Sequence, residues 1–409
     1  MRHIMRKLFL VATLLAALVS CEVIDDKPTD GHQGTETPDD SYSCVFRFTD
    51  EKGNPLEVTR LILMSDALED SPVVIEPEVP GEAVAAKLSP NVNHFATYEF
   101  LVTAADGKAY RVTRDLYIPT GVRYEKTIEM ESAWKVTQIT KGLKWYNYEG
   151  LEAVTLQNQV INVLEMDLDS KTLKLDILYY PDKEKISTAG KSSADILAMT
   201  NATFGSGFTN KPAVDNTYIR INGVNCKEIS IGPDDTGNWW KHEAAMWYDG
   251  ESQFGFINMA GDPTGAIEYY KSTTYKNLFS SNTMLIENHQ KTDLAAYSRK
   301  FTSASKEPRT VLAITADRKL LLMTVDGRWL DKADGMSYKQ LQDVLLTYFN
   351  AQWAINMDGG GSTGMYIKGK GRNSTDVVNY PCEGNSDPQV YKGTTKERPL
   401  ITYFAIKER

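Results

Sequence analysis

A carboxylate stands directly before a run of glycines and hydroxyls near the C-terminus, in the segment Asp358-Gly359-Gly360-Gly361-Ser362-Thr363. Mainly apolar segments, 353–357 and 365–367, flank this run and predict a strand, a loop and a strand. Three glycines in a row carry an entropic cost, which is offset where the backbone needs positive φ or a ligand approaches closely. Their amides can face an anion. The pattern predicts an anion-binding loop beside Asp358, and a glycine-rich hairpin without chemistry is the alternative.

The same segment also fits the nucleophile elbow of serine hydrolases, because Gly360-Gly361-Ser362-Thr363-Gly364 has the form G-x-S-x-G. That elbow requires a helix after the serine and a histidine later in the chain. The residues after Ser362 favour a strand, and the last of the five histidines is His289. The sequence therefore excludes a serine hydrolase of this type.

The clearest helix signal lies just before this loop. Ser337 is a good N-cap with Gln340 three residues later, and apolar side chains recur at helical spacing up to Asn350. Residues 193–199 are also helix-like, whereas most other apolar segments are short and separated by turn residues. We therefore expect an α+β domain over residues 134–409, with a twisted, largely antiparallel sheet and flanking helices.

Residues 43–133 have a different pattern, in which short alternating apolar segments are separated by turns such as Asp106-Gly107. This pattern predicts a small all-β, sandwich-like accessory domain. It contains no cluster of histidines, cysteines or carboxylates that would indicate catalysis. A spacer is the favoured interpretation, and binding of a glycan or a protein is the functional alternative.

The first 20 residues are typical of a targeting segment. Arg2, Arg6 and Lys7 precede an apolar run, 8–18, that is too short to span a bilayer. The following Leu18-Val19-Ser20-Cys21 resembles a bacterial lipoprotein box, which implies lipidation at Cys21. A polar tether, 21–42, follows. We therefore expect a protein of the bacterial cell envelope, anchored to a membrane through Cys21 and facing outside the cytoplasm, at the periplasm or the cell surface.

The charge balance argues against polyanionic partners. The formal net charge is −9, and removal of the three basic residues of the first 20 would change it to −12. A surface of this sign repels nucleic acid and anionic lipid headgroups. We expect no nucleic-acid partner, and we expect membrane attachment through the lipid anchor.

Several segments together resemble one family. Asn356-Met357-Asp358-Gly359-Gly360-Gly361-Ser362 resembles the N-x-D-G-G-G-S signature of the phosphodiester glycosidases, which are bacterial proteins related to the lysosomal uncovering enzyme. Further segments between about Gly142 and Arg409 match in the same order, namely Thr200–Phe204, Pro308–Thr310, Asp326–Arg328, Val378–Pro381 and Arg398-Pro399. Ala202 and Thr203 depart from the family pattern, because they stand where it usually has glycines.

This resemblance implies a hydrolase that cleaves sugar-1-phosphodiesters, with N-acetylglucosamine as the model sugar. The bond between the sugar C1 and its oxygen would break, giving a free sugar and a phosphomonoester. Such a reaction needs cations or amides that hold the phosphate. It also needs a carboxylate that activates water or stabilises an oxocarbenium-like centre.

The resemblance also implies roles for individual residues. Asp358 is the first candidate for the catalytic carboxylate, with Asp326 and Glu287 as the other candidates. The candidates for binding phosphate or sugar are Arg309, Arg398, Gly359, Gly360, Gly361, Ser362, Thr363, Asn201 and Asn379. Structural alternatives stay open: a salt bridge for each arginine, and a buried cap that shapes the loop for Asp358.

The sequence indicates no metal site, although clustered carboxylates would also allow a divalent cation. The alternative hypothesis for the function is binding without catalysis. The chain would then be a non-catalytic surface lipoprotein that binds a glycan or a sugar phosphate. The altered loop at Ala202 and Thr203 and the additional N-terminal domain motivate this alternative.

Overall fold

The computed structural model describes residues 43–88, 95–119, 123–206, 214–215, 217–226, 239–298, 304–372, 374–382, 389–393 and 396–409. The predicted signal segment 1–20, the tether 21–42 and the lipidation site Cys21 lie outside these residues. In the described part of the chain, no helix has the length and apolar character needed to cross a membrane.

The N-terminal region is built from eight strands. They are β1 (Ser43–Thr49), β2 (Val58–Met64), β3 (Val73–Ile75), β4 (Ala83–Lys87), β5 (Phe95–Ala104), β6 (Ala109–Tyr117), β7 (Tyr124–Glu129) and β8 (Glu131–Ser132). They form a three-stranded sheet, β4-β1-β7, and a five-stranded sheet, β3-β2-β5-β6-β8. The two sheets share a core that includes Phe46, Phe100 and Val112.

The rest of the chain adds nineteen described strands. They are β9 (Lys135–Thr140), β10 (Leu143–Glu152), β11 (Gln157–Asp167), β12 (Leu173–Glu184), β13 (Ile196–Asn201), β14 (Gly205–Ser206), β15 (Val214–Asp215), β16 (Ile219–Ile221), β17 (Val224–Asn225), β18 (Ala244–Tyr248), β19 (Phe254–Asn258), β20 (Asn277–Ser281), β21 (Thr283–Glu287), β22 (Gln290–Lys291), β23 (Arg309–Thr315), β24 (Lys319–Val325), β25 (Ala351–Asn356), β26 (Met365–Ile367) and β27 (Leu400–Glu408).

Helices are short and few among the described residues. The α-helices are α1 (Ile186–Gly190), α2 (Pro263–Ser272) and α3 (Tyr338–Phe349), and the 3-10 helices are Trp239–His242, Leu294–Ala296 and Gly360–Ser362. The predicted helix near residues 337–350 is confirmed as α3. Its capping box is complete, because the Gln340 amide donates to Ser337 Oγ and the Ser337 amide donates to Gln340 Oε1. The helix ends at Asn350 in the left-handed conformation.

An eight-stranded antiparallel sheet, the central sheet, organises the region after residue 134. Its strand order is β22-β21-β25-β23-β24-β11-β10-β9. Every residue of β23 is buried, because both faces of the sheet are covered. Leu312 and Leu322 on one face pack against a four-stranded sheet, β12-β27-β13-β26, and a five-stranded sheet, β17-β16-β20-β18-β19. Val311 and its neighbours on the other face pack against α3.

The expected α+β class is wrong, because the chain is mainly β. Sheets, rather than flanking helices, cover one face of the central sheet, and α3 contributes to the other face. One source of the error is the segment 193–199. It reads as helix-like, but residues 196–201 form β13 between β26 and β27. A short strand that is apolar on both faces cannot be distinguished from a buried helix by periodicity.

Residues 41–409 form one compact unit. The predicted division into 43–133 and 134–409 stays a prediction. The N-terminal strands have a core of their own, while a small cluster of Ile62, Leu101 and Ala153 joins them to the residues that follow.

Candidate functional site

The central sheet brings three chain segments to one edge. In its antiparallel register, Arg309 at the start of β23 pairs with Val325 at the end of β24, and Val311 pairs with Asn356 at the end of β25. The segments beginning at Pro308, Asp326 and Met357 therefore meet at this edge. We call the segment from Asp358 to Gly364 the glycine loop.

Local backbone geometry and close contacts explain why each of the three positions is a glycine. Gly360 has a φ of +59°, and its amide donates to the carbonyl oxygen of Pro308 (2.8 Å). A Cβ at Gly359 would lie 2.6 Å from that same oxygen, and a Cβ at Gly361 would lie 2.3 Å from Nη2 of Arg398. The glycines thus permit close contact with a neighbouring strand and with an arginine. The Gly360 amide is used within the protein rather than directed at a ligand.

Asp358 begins the glycine loop, where it is half-buried. Burial raises the pKa of its carboxyl to about 6, although a hydrogen bond from Ser362 and the charges of Arg398 and Lys241 act in the opposite direction. An ordinary aspartate is fully ionised at pH 6. This carboxyl instead changes its protonation state near neutral pH, as a residue that exchanges protons during catalysis must do.

Arg398 and Ser362 form a connected pair with Asp358. Nη1 of Arg398 donates to Oγ of Ser362 (3.1 Å), and Ser362 in turn is hydrogen-bonded to the Asp358 carboxylate. Arg398 lies two residues before β27, so a segment about 40 residues further along the chain supplies this cation. The predicted phosphate-binding residues Arg398 and Ser362 are therefore brought to the candidate carboxylate.

Lys241 was missed by the sequence reasoning. It lies in the 3-10 helix Trp239–His242, it is buried, and its positive charge acts on Asp358. Its ammonium lies 5.2 Å from the centre of the Trp240 ring. The neighbouring His242 supplies no charge near neutral pH, because burial lowers its pKa to about 3. The sequence signal was a lysine beside two tryptophans, which does not by itself indicate a site.

Asp326 is also brought to this edge, but in a closed environment. It is buried, and burial raises its pKa to about 7. Its Oδ1 accepts from Nδ2 of Asn379 (2.8 Å), and its Oδ2 accepts from the Tyr380 amide (2.8 Å). Oδ1 of Asn379 accepts from the Met365 amide (2.9 Å). The pair fixes the segment around Asn379 against the end of the glycine loop.

Asn201, the last residue of β13, holds the glycine loop from outside, and Thr363 makes a hydrogen bond within the loop. Nδ2 of Asn201 donates to the carbonyl oxygen of Asp358 (2.6 Å), and its Oδ1 accepts from Oγ1 of Thr310 and from the Gly364 amide. Thr363 is buried, and its amide donates to the carbonyl oxygen of Gly360 (3.2 Å). These bonds show that Asn201 organises the loop.

Arg309 is close to the glycine loop through its backbone, while its side chain points elsewhere. Its guanidinium donates to the carbonyl oxygens of Met336 (2.9 Å) and Ser305 (2.7 Å) and lies 4.4 Å from the centre of the Tyr338 ring. Burial lowers its pKa. These contacts favour a structural role at the start of β23.

Glu287 is not brought to this site. It pairs with Trp353, so it lies beside the start of β25, whereas Asp358 follows the end of that strand. Five residues of extended chain separate the two positions along the strand, which corresponds to about 16 Å. Its Oε2 accepts from Nδ2 of Asn258 (2.8 Å).

A preformed cluster of metal ligands is not found among the described residues, since no three histidine, cysteine, aspartate or glutamate side chains are grouped to hold an ion. The site instead combines one titratable carboxylate with Arg398 and Lys241. The two cations can bind an anionic ester, and the carboxylate can then act on that ester.

The family model of the phosphodiester glycosidases matches residues 210–407. The matched region contains Lys241, the glycine loop and Arg398. The resemblance to the phosphodiester glycosidase family is therefore confirmed. The match does not include residues 142–209, so the similarity assigned to Thr200–Phe204 lies outside it.

Several solved structures are similar to this chain. One is the catalytic domain of zebrafish N-acetylglucosamine-1-phosphodiester alpha-N-acetylglucosaminidase, auto-inhibited by its pro-peptide. It has 16% identity and a TM-score of 0.44, and the match covers 68% of this chain and 84% of that one. Another is a hypothetical protein from Synechocystis, with 11% identity, a TM-score of 0.49, and coverage of 77% and 75%. No curated protein matches the chain.

Proposed function

We propose that this chain is a hydrolase that cleaves sugar-1-phosphodiesters, of the N-acetylglucosamine-1-phosphodiester type, into a free sugar and a phosphomonoester. The observation that carries the proposal is the position of Asp358. Its carboxyl has a pKa of about 6 and is under the influence of two cations from separate segments, within the region that matches the family. A phosphodiester brings a negative charge that complements Arg398 and Lys241.

In the proposed reaction, Arg398 and Lys241 hold the phosphate while Asp358 acts on the sugar side. Water attacks C1, the C1–O bond breaks, and its electron pair leaves with the phosphate as a phosphomonoester. The ionised carboxylate of Asp358 takes the proton of the attacking water. Because phosphate is already a good leaving group, the two cations supply most of the stabilisation that the departing oxygen needs.

We also propose that the enzyme is located at the cell envelope. Lipidation at Cys21 would hold the enzyme at a membrane of the cell envelope, facing outside the cytoplasm, where it would act on glycans. Mass spectrometry of the protein purified from its membrane tests this part separately. A diacylglyceryl-modified Cys21 at the N-terminus supports the anchor, and an unmodified N-terminal Met1 contradicts it.

The test of the reaction is hydrolysis of an α-N-acetylglucosaminyl phosphodiester by the full chain in detergent, in water enriched in oxygen-18. We expect the heavy oxygen in the released N-acetylglucosamine, because the C1–O bond is the one that breaks. Heavy oxygen in the phosphate would instead indicate cleavage of a P–O bond and would contradict the proposal. Sugar-phosphate binding without turnover would favour the non-catalytic alternative. The control is Glu287→Gln, which removes a carboxylate far from the site and should hydrolyse the phosphodiester as the wild type does.

A further inference from the structure

A cavity of about 410 Å³ lies between the N-terminal strands and the central sheet. The turn at Asp106-Gly107, between β5 and β6, forms one wall, and Phe349 at the end of α3 forms part of another. The turn is packed closely, because a Cβ at Gly107 would lie 3.1 Å from the carbonyl oxygen of Thr347. The volume falls in the range of about 300–1,000 Å³ that is usual for small-molecule sites.

This cavity is separate from the site at Asp358. Thr315, at the end of β23, lines it, whereas Arg309, at the start of β23, adjoins the glycine loop. Six residues of extended strand correspond to about 20 Å. A ligand in the cavity would therefore not contact the glycine loop.

Aromatic side chains line one side of the cavity, and all of them are partly exposed. The rings of Trp134 and Tyr348 are 5.4 Å apart, those of Trp134 and Phe349 are 5.5 Å apart, and those of Tyr146 and Phe349 are 5.8 Å apart. The pairs meet edge to face, so the rings form a continuous aromatic wall. Such a wall can pack against the apolar C–H face of a pyranose ring.

Four of the five charged side chains that line the cavity are paired with a charge of opposite sign, and the fifth, Asp317, accepts a hydrogen bond from the Thr315 hydroxyl. Lys108 pairs with Asp106, and the Lys319 ammonium lies 3.1 Å from Asp167. Glu165 accepts from Lys144 (3.2 Å) and from the Tyr146 hydroxyl (3.1 Å). The charge in excess is the carboxylate of Asp317, which disfavours an anionic ligand. The remaining lone pairs of the carboxylates can still accept hydrogen bonds from hydroxyls.

We infer that this cavity is a non-catalytic binding site for a neutral oligosaccharide. Aromatic rings beside internally paired charges fit a ligand with apolar ring faces and many hydroxyls, which is the chemistry of an uncharged glycan. The accessory region contributes the Asp106–Lys108 turn and the enzyme region contributes the aromatic wall. This assignment does not depend on the reaction proposed for Asp358.

The test is calorimetric titration of the full chain with three neutral trisaccharides, chitotriose, maltotriose and mannotriose, and with the anionic trigalacturonate. We expect saturable binding of at least one neutral trisaccharide and much weaker binding of trigalacturonate. Binding of trigalacturonate alone, or of none of the four, would overturn the inference.

Two variants place the binding in the cavity. Val136 lines the cavity and is 53% exposed, so Val136→Trp should fill the opening without disturbing a core and should abolish binding. Val224→Trp is the matched control, because Val224 is 66% exposed on β17, away from the cavity, and this variant should bind normally. Phe349→Leu removes one ring and should weaken binding about fivefold. Unchanged binding by folded Val136→Trp and Phe349→Leu would overturn the inference.

Discussion

Two aspartates at the same edge of the central sheet differ in what surrounds them. Burial raises the pKa of both carboxyls, to about 6 for Asp358 and about 7 for Asp326. The oxygens of Asp326 accept from Asn379 and from the Tyr380 amide, which belong to one loop. Asp358 is half-buried and has Ser362, Arg398 and Lys241 around it.

The difference shows that a raised pKa does not by itself identify a catalytic carboxylate. Burial acts equally on a group that fastens a loop and on one that faces a ligand. The distinguishing features are solvent access and cations from separate segments, both of which Asp358 has. The following substitutions test this assignment.

The largest expected effect is that of Asp358→Asn. We expect kcat for a sugar-1-phosphodiester to fall about a thousandfold, because an amide cannot accept the proton of the attacking water. Thermal unfolding should remain cooperative, which separates loss of chemistry from loss of fold. Full activity in this variant would remove Asp358 from the reaction.

Arg398→Gln should lower kcat/KM about a hundredfold, because it removes a charge that would stabilise the departing phosphate. Arg309→Gln is the comparison. The Arg309 guanidinium is bound to backbone carbonyls, so its loss should lower the melting temperature more than the activity of the folded enzyme. If the two variants show the reverse pattern, the phosphate site is at Arg309.

Asp326→Ala should destabilise the fold by about 2 kcal/mol at pH 7, because two buried donors, Asn379 Nδ2 and the Tyr380 amide, lose their acceptor. In the wild type, the folded state holds the Asp326 proton more tightly than the unfolded state does. The contribution of this group to stability therefore falls as pH rises from about 4 to about 7. The variant should consequently lose more stability at pH 5 than at pH 8, as denaturant titrations at both values would show. A loss that grows with pH would contradict this account.

The pH profile of the wild-type enzyme gives a test without substitution. Activity should rise about tenfold per pH unit below about pH 6 and level off above it, as Asp358 becomes ionised. Initial rates of hydrolysis between pH 4 and pH 8 measure this rise in activity, the acidic limb of the profile. If the limb instead lies near pH 7 and disappears in Asp326→Asn, the acting carboxylate is Asp326.

The parts of the site that lie in one continuous segment were predictable from the sequence. Asp358, the three glycines and Ser362 stand together, and the capping box of α3 is a local pattern that the structure confirms. Arg398 was found through its resemblance to a family segment. Lys241 was not found, because its relation to Asp358 depends on how distant segments pack.

The fold class was not predictable to the same extent. The buried strand β13 has the apolar pattern of a short helix until β26 and β27 pair with it. Glu287 and Asp358 both follow apolar segments near a sheet, and only the antiparallel register of β21 with β25 separates them. Register depends on contacts between distant strands, so local sequence does not encode it.

The backbone at Asp358 is tied into the core on both sides. The Met357 amide donates to the carbonyl oxygen of Thr310 (2.8 Å), and the Asp358 amide donates to that of Ala202 (3.0 Å). These two protons should therefore exchange with solvent deuterium only on the timescale of global unfolding. The carboxylate is thus carried by a backbone segment that hydrogen bonds fix to strands β23 and β13 and their neighbouring residues.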